Sequence, residues 1–301
     1  MTLESLTAVV LNWRTPELAT RAAGALLDDG VPPERVVVVD NGSDDGSPER
    51  LRNEFPRSVV LALPENVGFA RGANAGAAER PGTAYLFVNS DAFVHAPRSV
   101  GVLVAALDDP GVGIAVPRLL NEDLTLQPSV VPLSSPVSEL VRASGLSRFV
   151  PNRHQPVVGT HWDHAATRDV HAAIGAVLLV RATTWDELGG FDERMFMYAE
   201  DHDLFWRARR HGWRTRFVAD AEFVHLGGGT TGRVWSDAAR AERVARAEAA
   251  LVRAHLPRGR AALTLGLMAL GVGVRAVAFR VLGRRDRAAE QAAWLRGYLG
   301  R

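Results

Sequence analysis

The first half of the chain alternates short apolar runs with stretches of helical periodicity. Four apolar runs are separated by longer segments, which include helical patterns at 16–28 and 69–80. Strands this apolar are typical of a parallel sheet whose two faces are covered by helices. The pattern predicts an α/β fold with a doubly wound, mostly parallel sheet, whose first strands are TAVVLN, RVVVVD, SVVLAL and AYLFVN.

Polar residues occupy the points where these strands end. Asn12, Asp40 and Asn89 each end a predicted strand, and Asn66 closely follows the third strand. In doubly wound sheets the ligand lies beyond the carboxyl ends of the strands. We therefore expect these four side chains to converge on one edge of the sheet.

The composition disfavours several kinds of site. Cysteine is absent, so a metal ion would have to be bound by oxygen and imidazole nitrogen. Lysine is absent as well, which excludes the lysine-containing phosphate loop, and the glycines at 68, 72 and 76 do not match the G-x-G-x-x-G spacing of dinucleotide-binding proteins. The N-terminus lacks the positive region and cleavage site of a signal peptide, so we expect a cytoplasmic protein.

The strand AYLFVN is followed by candidate metal ligands. Asn89 and Asp91 lie at its end, and one or two protein ligands are enough for Mg²⁺ when diphosphate oxygens and waters complete the coordination shell. His225 follows a later predicted strand and becomes a second candidate if the fold brings it to Asp91. The alternative for Asp91 is an ordinary helix cap.

Three acidic residues, Glu200, Asp201 and Asp203, stand at the start of a helix predicted from about Ala199 to Gly212. Acidic residues stabilise a helix N-terminus electrostatically, which is one explanation for the cluster. Crowding and partial burial also raise the pKa of a carboxyl group, as a general base for a hydroxyl group requires. The cluster is thus a candidate catalytic site.

Two further segments supply candidate ligand-binding residues. Asp40, before an Asn-Gly turn, can accept a hydrogen bond from a pyrimidine base or a ribose hydroxyl, although such turns are common without any ligand. Arg71 and Asn74 share one face of the helix predicted at 69–80. There Arg71 either contacts a phosphate or forms a surface ion pair.

Residues 111–232 have a less regular pattern. Pro-containing segments at 127–136 and 150–156 are predicted loops on either side of a helix near 137–146, and we expect them to cover the site. The strands RTRFVAD and AEFVHL follow the acidic helix, and the glycine-rich segment 227–232 is predicted to be mobile.

Residues 233–301 differ in charge from the rest and are predicted to form a separate helical extension of a domain at 1–232. They contain 14 arginines and 5 acidic residues, against 21 and 29 in residues 1–232. Their uncharged run at 261–274 is short for a membrane span, which needs about 20 residues. It suits a helix in the membrane interface with arginines at the headgroups, and a buried helix is the alternative.

Six segments within about residues 6–232 closely resemble glycosyltransferase family 2, the inverting class with a GT-A fold, and within it the rhamnosyltransferase-like branch of bacterial cell-envelope synthesis. In order they are VVLNW, VVVDNGSDDGS, NVGFARGAN, FVNSDAF, GAVLLVRATTWDELGGFDERMFMYAEDHDL and FVHLGGG. The resemblance implies that residues 1–110 bind a nucleotide-sugar and that residues 111–232 form the acceptor and catalytic half.

The resemblance also implies roles for individual residues. Asp201 matches the catalytic base, and Asp91 and His225 match metal ligands, with Asn89 in place of the first carboxylate of the family's DXD-like motif. The nucleotide-sugar positions are Leu11, Asn12, Trp13, Asp40, Asn66, Arg71, Asn89, Ser90 and Asp91, and the acceptor positions are Gly175, Ala176, Glu200 and Asp203.

The implied reaction is a metal-dependent, inverting transfer that uses Mg²⁺ or Mn²⁺. The resemblance favours dTDP-rhamnose as donor, with UDP-sugars open, and the hydroxyl of a glycan or polyprenyl-linked acceptor. The apolar run at 261–274 beside arginines favours peripheral contact with the inner face of the cell membrane, and a membrane surface explains these charges better than a nucleic acid partner does. Two alternatives stay open, a nucleotidyltransferase and a catalytically inactive glycan-binding or scaffold protein with this fold.

Overall fold

The computed structural model describes residues 1–158, 161–227 and 237–300, and for residues 157 and 158 the backbone alone. By its internal contacts the chain divides into two compact units. The first unit consists of Met1–Ser129 and His164–Thr230, and the second of Val130–Asp163 and Thr231–Arg301.

The strands are β1 (Leu6–Asn12), β2 (Val36–Asp40), β3 (Val59–Ala62), β4 (Ala84–Asn89), β5 (Ala92–Val94), β6 (Val112–Leu120), β7 (Leu126–Gln127), β8 (Val130–Val131), β9 (Arg168–Val170), β10 (Ala172–Ala173), β11 (Val177–Arg181) and β12 (Arg214–His225). The helices are α1 (Pro16–Asp28), α2 (Ser47–Glu54), α3 (Phe69–Glu79), α4 (Ser99–Ala105), α5 (Pro136–Ala143), α6 (Gln155–Val158), α7 (Ala182–Leu188), α8 (Glu200–Arg210), α9 (Asp237–His255), α10 (Arg258–Val281) and α11 (Arg285–Leu299).

The first unit is built on one mixed sheet with the order β3-β2-β1-β4-β11-β6-β12-β5, to which β7 adds beside β6 and β9 beside β12. The pairings among β1, β2, β3 and β4 are all parallel, as predicted. β11 lies between β4 and β6 and is antiparallel to both. The α/β prediction is confirmed, with a parallel-dominated sheet that antiparallel strands extend.

The valine-rich runs form strands because both faces of the sheet are buried. Every residue of β2 is buried, and β1 is buried except for Leu11. Helix α3 can approach these strands closely because position 76 is a glycine. A Cβ atom there would lie 2.5 Å from Val9 Cγ1 and 2.7 Å from Val39 Cγ2.

The acidic helix and the strands after it differ from expectation in detail. α8 begins at Glu200 and ends at Arg210, close to the predicted bounds. The segments RTRFVAD and AEFVHL form one continuous strand, β12, whose register against β6 shifts between Val218 and Glu222. A bulge of this kind bends a strand without ending it. Apart from Gly227, the predicted mobile loop at 227–232 lies outside the described residues.

The second unit is helical. Alanines 245 and 249 of α9, Met268 and Val272 of α10, and Tyr298 of α11 form its apolar core. Helix α5 packs on α10, where a Cβ atom at Gly271 would lie 3.4 Å from Ala143 Cβ. The division therefore differs from the predicted boundary at residue 232, because helix α5 packs with α10 of the C-terminal segment.

The helix predicted near 137–146 is observed as α5. It begins one residue earlier, where Ser135 caps it by accepting a hydrogen bond from Ser138 N. Helix α10 has 24 residues, more than its uncharged run, because arginines extend it at both ends. Among the described residues, α10 is long and apolar enough to cross a membrane, and 22% of its most apolar 18-residue stretch is buried.

Candidate active site

The carboxyl ends of β1 and β2 carry a buried pair of polar side chains. Asn12 lies opposite Asp40 in the register of the two strands, and Asn12 Nδ2 donates to Asp40 Oδ1 at 2.7 Å. Asp40 Oδ2 accepts from Ser43 N at 2.9 Å. Both side chains are fully buried, so a direct contact with a nucleotide would require the turn after β2 to move.

Asn41 joins this edge to Asn66, a link that the sequence analysis missed. Asn41 Nδ2 donates to Asn66 Oδ1 and to Gly68 O, each at 3.1 Å, and Asn41 Oδ1 accepts from Val67 N at 3.0 Å. Gly42 adopts φ +71°, and a Cβ atom there would lie 2.2 Å from the carbonyl carbon of Glu65. The strand-end residues Asn12, Asp40 and Asn89 lie at one edge of the sheet, as expected. The Asn-Gly turn also holds the loop before α3, which contains Asn66, at this edge.

Leu11 and Trp13 are half-buried at the end of β1. Leu11 packs on α3, since a Cβ atom at Gly72 would lie 2.7 Å from Leu11 Cδ1. The Arg14 guanidinium carbon lies 5.4 Å from the centroid of the Trp13 ring, and Arg14 Nη2 donates to Asp44 Oδ2 at 2.7 Å. Trp13 therefore offers a ring with a neighbouring cation, suited to stacking against a base.

Helix α3 presents Arg71 to solvent, where its Nε lies 3.8 Å from Glu193 Oε2. Both side chains are more than half exposed, so this surface ion pair is weak and leaves Arg71 able to reach a phosphate. Asn74 has a structural role. Its amide donates to Phe191 O and accepts from Phe191 N, each at 3.0 Å, which holds α3 against the segment before α8.

The end of β4 brings the two predicted metal ligands together. β5 pairs with β12 so that Ala92 lies opposite His225, and Leu226 N donates to Asp91 O at 3.0 Å. His225 Nε2 lies 3.5 Å from Asp91 Oδ1, and both side chains are largely buried. Ser90, also buried, lies between Asp91 and the half-buried Asn89 with its Oγ 3.3 Å from Thr15 Oγ1.

The pair is small for a metal site made by protein alone. Among the described residues, no group of three or more His, Asp or Glu side chains could hold a metal ion. One carboxylate and one imidazole do suit a divalent cation that takes its other ligands from a diphosphate and water.

The acidic cluster begins after two residues in left-handed backbone conformations, Tyr198 at φ +71° and Ala199 at φ +70°. Such conformations are strained for residues other than glycine and are frequent at functional sites. Glu200, which follows, is buried, and its Oε2 has no hydrogen-bond partner in the described part of the chain. Burial, and then the charge of Asp201, raise the pKa of Glu200 to about 8.

Asp201 is half-buried and receives two backbone hydrogen bonds. Gly175 N donates to Asp201 Oδ2 at 2.8 Å, and His202 N donates to Asp201 Oδ1 at 2.8 Å. A Cβ atom at position 175 would lie 2.7 Å from Asp201 Cβ, so glycine is required for this contact. Asp203 instead forms a buried ion pair with Arg207, with Asp203 Oδ2 and Arg207 Nε 2.6 Å apart.

A two-residue segment links Asp201 to the end of β4. Gly175 contacts Asp201, and Ala176 O accepts from Asn89 N at 2.9 Å. Ala176 is 1% exposed, so in this arrangement it positions its neighbours and offers no side-chain surface to a ligand. This segment thus joins the acidic cluster to the end of β4, two residues before Asp91.

Comparisons with known proteins place the sequence among glycosyltransferases. "Glycosyl transferase family 2" matches residues 10–131, and "Glycosyl transferase family group 2" matches residues 151–278. An N-acetylglucosaminyl-diphospho-decaprenol L-rhamnosyltransferase of Mycobacterium tuberculosis is 31% identical over 213 residues, which cover 67% of this chain and 69% of that protein. The O-antigen biosynthesis protein RfbC of Myxococcus xanthus is 25% identical over 215 residues, covering 69% of this chain and 16% of that protein.

Solved structures share the fold. A mannosyltransferase from Pyrobaculum calidifontis, in complex with GDP-Man and Mn²⁺, matches with a TM-score of 0.58 and 18% identity. The match covers 99% of this chain and 88% of the mannosyltransferase chain. GalNAc-T7 with UDP, GalNAc and Mn²⁺ has a TM-score of 0.55 and 14% identity, over 82% of this chain and 48% of its own. The predicted GT-A fold is confirmed by these neighbours.

The buried Glu200 makes the stability of the protein depend on pH. Its pKa is about 8 in the folded protein against 4.5 for an ordinary glutamate, so the unfolded chain releases this proton first as the pH rises. The free energy of unfolding should therefore fall between these two values, by at most about 1.4 kcal/mol per pH unit. Glu200→Gln should remove this contribution, measured by urea denaturation across that pH range.

The variant Glu79→Gln, at an exposed position, is the control for the loss of one carboxylate. The free energy of unfolding of this variant should follow that of the wild type at each pH. If the stabilities of wild type and Glu200→Gln stay parallel over the whole range, Glu200 is ionised in the folded protein and the prediction is wrong.

Proposed function

Because the chain belongs to glycosyltransferase family 2, in its rhamnosyltransferase branch, and is thus a glycosyltransferase, we propose that it catalyses a metal-dependent, inverting sugar transfer. The donor is a nucleoside-diphosphate sugar, and the acceptor is a hydroxyl group of a lipid-linked glycan in cell-envelope synthesis. The observation that carries the proposal is the link from the Asp201 carboxylate, through the backbone of Gly175 and Ala176, to the end of β4, two residues before Asp91. It joins a candidate base to a candidate diphosphate site.

Asp201 is the proposed general base. Its carboxylate is oriented by two backbone N–H groups and keeps lone pairs for the proton of an acceptor hydroxyl. As that proton leaves, the acceptor oxygen attacks the anomeric carbon and the nucleoside diphosphate departs from the opposite face, which inverts the configuration. Glu200 carries its own proton at neutral pH because its pKa is raised to about 8, so it does not compete as a base.

Asp91 and His225 are the proposed protein ligands of Mg²⁺ or Mn²⁺. Asp91 Oδ1 and His225 Nε2 lie 3.5 Å apart, so both side chains could be ligands of one divalent ion. The bound ion would offset the charge that develops on the leaving diphosphate. The two solved neighbours that contain Mn²⁺ support this assignment. The side chain of Arg71 is more than half exposed, so it could contact the diphosphate as well.

The donor is proposed to be dTDP-rhamnose, with UDP-sugars as the second candidate. The name of the mycobacterial relative, an L-rhamnosyltransferase acting on N-acetylglucosaminyl-diphospho-decaprenol, supports rhamnose and a polyprenyl-linked acceptor. Trp13 is the proposed stacking platform for the base. Asn12 and Asp40 support that platform from inside, because both are buried and bonded to each other.

A thermal-shift panel of dTDP, UDP and GDP, each with and without Mn²⁺, tests the donor. A nucleotide held at 100 times its dissociation constant should stabilise the protein by about 2.7 kcal/mol. We expect the largest shift with dTDP and Mn²⁺ together, and a larger shift with UDP would change the donor while keeping the mechanism. If no nucleoside diphosphate shifts the midpoint, with or without Mn²⁺, the proposed function fails.

Asp201→Asn tests the base. The amide is isosteric with the carboxylate but cannot take a proton, so the turnover number should fall by about 10²- to 10⁴-fold, while the dissociation constant of the nucleoside diphosphate stays within about twofold. Turnover is measured as release of the nucleoside diphosphate in the presence of acceptor. Asp220→Asn, at an exposed position of β12, is the matched control and should keep wild-type turnover, and wild-type turnover in Asp201→Asn itself would contradict the assignment.

We also propose that the second unit attaches the enzyme to an anionic lipid surface. Helix α10 exposes one apolar stripe, with side chains 55% to 80% exposed at Leu263, Leu270, Val274, Val277 and Val281. Their spacings of seven, four, three and four residues place them on a single helix face. Exposed arginines accompany the stripe, at positions 258, 260, 280, 284, 285 and 287. Apolar side chains beside arginines suit the interface of an anionic membrane.

Val274→Glu with Val277→Glu should abolish this attachment. Two valines, each worth about 1.5 kcal/mol when buried, are replaced by charges that anionic lipid repels, so binding should fall about tenfold or more. The measurement is co-sedimentation of the full chain with phosphatidylglycerol vesicles, and with phosphatidylcholine vesicles for comparison. Ala250→Glu with Ala254→Glu, at exposed positions of α9, adds the same charge away from the stripe and should keep wild-type binding.

Three results would contradict the interfacial arrangement. The first is a wild type that sediments with neither kind of vesicle, and the second is equal sedimentation of the two double variants. Alternatively, bound protein would resist extraction by alkaline carbonate, as a membrane-spanning α10 predicts.

A further inference from the structure

Gln127 touches His225 at two points, and neither the sequence nor the comparisons assign it a role. Gln127 belongs to β7, which pairs with β6 on the side opposite to β12. Its Oε1 lies 2.8 Å from His225 Nδ1, and its Nε2 donates to His225 O at 3.0 Å. One side chain thus contacts both the ring and the backbone of a proposed metal ligand.

The neighbours of Gln127 determine which way its amide points. Its Nε2 faces two oxygen atoms, His225 O at 3.0 Å and Asn121 Oδ1 at 3.1 Å. The Asn121 amide is oriented in turn by Leu126 O and Thr125 Oγ1, to which Asn121 Nδ2 donates. A carbonyl oxygen accepts and cannot donate, so the Gln127 NH₂ group must face His225 O, and its Oε1 must face the imidazole.

The orientation of Gln127 determines the tautomer of His225. Because Gln127 Oε1 can only accept a hydrogen bond, the hydrogen of a neutral imidazole belongs on Nδ1. The lone pair then lies on Nε2, which is the atom 3.5 Å from Asp91 Oδ1. Asp91 Oδ1 and His225 Nε2 then face each other with lone pairs and little access to solvent. This arrangement is favourable when a cation binds to both atoms.

We propose that Gln127 is a positioning residue, which holds His225 in the Nδ1–H tautomer so that Nε2 and Asp91 bind the divalent cation together. The proposal rests on the metal-dependent function proposed above. It extends the site from two residues to a connected chain from Asn121 to Gln127, His225 and Asp91, in which each hydrogen bond orients the next group. Partners of this kind raise metal affinity by restricting the ligand to its binding orientation.

Gln127→Leu and Gln127→Glu separate positioning from packing. Leucine cannot accept the Nδ1 hydrogen, so the dissociation constant for Mn²⁺ should rise about 10- to 100-fold. Glutamate accepts the same hydrogen with a charged oxygen, so it should keep the affinity within about threefold of wild type or tighten it, although it loses the contacts to Asn121 and to His225 O. The full chain is titrated with Mn²⁺ in the presence of a saturating nucleoside diphosphate, with free Mn²⁺ measured by electron paramagnetic resonance.

Thr125→Ala is the matched control. It removes one of the two acceptors of Asn121 Nδ2 in the turn between β6 and β7, while Leu126 O still orients that amide. No contact to Gln127 or His225 is lost, so the variant should keep wild-type affinity for Mn²⁺. A loss as large as that of Gln127→Leu would mean that loosening this turn is sufficient, and would overturn the positioning role.

The tautomer itself is a second measurement that does not depend on any variant. In a long-range ¹H–¹⁵N spectrum of ¹⁵N-histidine-labelled wild type with Mg²⁺, His225 should carry its hydrogen on Nδ1, and finding it on Nε2 would overturn the proposal. Equal Mn²⁺ affinity in wild type and Gln127→Leu would overturn it too. If the wild type binds no Mn²⁺ with the diphosphate present, the metal site fails, and with it the proposed function.

Discussion

The pairing of β11 with β4 is the interaction on which the candidate active site depends. β11 runs antiparallel to β4, so the residues just before β11 meet the residues at the end of β4. Asn89 and Ala176 are joined there by their backbones, and Gly175 is joined to Asp201. The end of β4, two residues before Asp91, and the start of α8, which carries Asp201, are distant in sequence, yet one two-residue segment contacts both.

The environment gives three neighbouring acidic residues three different roles. Glu200 is buried, has a raised pKa, and has one carboxylate oxygen with no hydrogen-bond partner among the described residues. Asp201 accepts two backbone hydrogen bonds, and Asp203 pairs with Arg207. Neighbouring carboxyl groups whose pKa values differ are a common way of separating a base from a neutral companion. Helix-terminus electrostatics alone would favour all three charges alike, so burial and pairing make the difference.

The sequence predicted the elements whose formation depends on local pattern. β1, β2 and β4 and helices α1, α3 and α8 lie close to the expected positions, because strand and helix periodicities are visible in a single segment. The meeting of Asp91 and His225 required the resemblance in addition, since it depends on the pairing of β5 with β12. The assigned roles of these residues stay predictions.

The contacts that the sequence did not reveal all depend on tertiary packing. The sequence predicts a loop at Gln127, because nothing in its own segment indicates that its amide reaches His225. Nothing in the segment of α5 indicates that this helix packs on α10. The sequence predicts a simple turn at Asn41, because its partners Asn66 and Gly68 lie in a loop far from it in sequence.

The buried polar edge also explains why the sequence leaves the donor nucleotide open. Asn12 and Asp40, the residues that most resemble base-binding groups, use their polar atoms on each other, on Thr15 and on Ser43. What the strand end offers to a base is the half-buried ring of Trp13 beside Arg14. A stacking ring accepts thymine and uracil alike, because each presents a π-face. Under the proposal that Trp13 stacks on the base, the choice between dTDP and UDP would depend on groups that contact the edge of the base, the ribose or the sugar, because stacking would supply affinity without that selectivity.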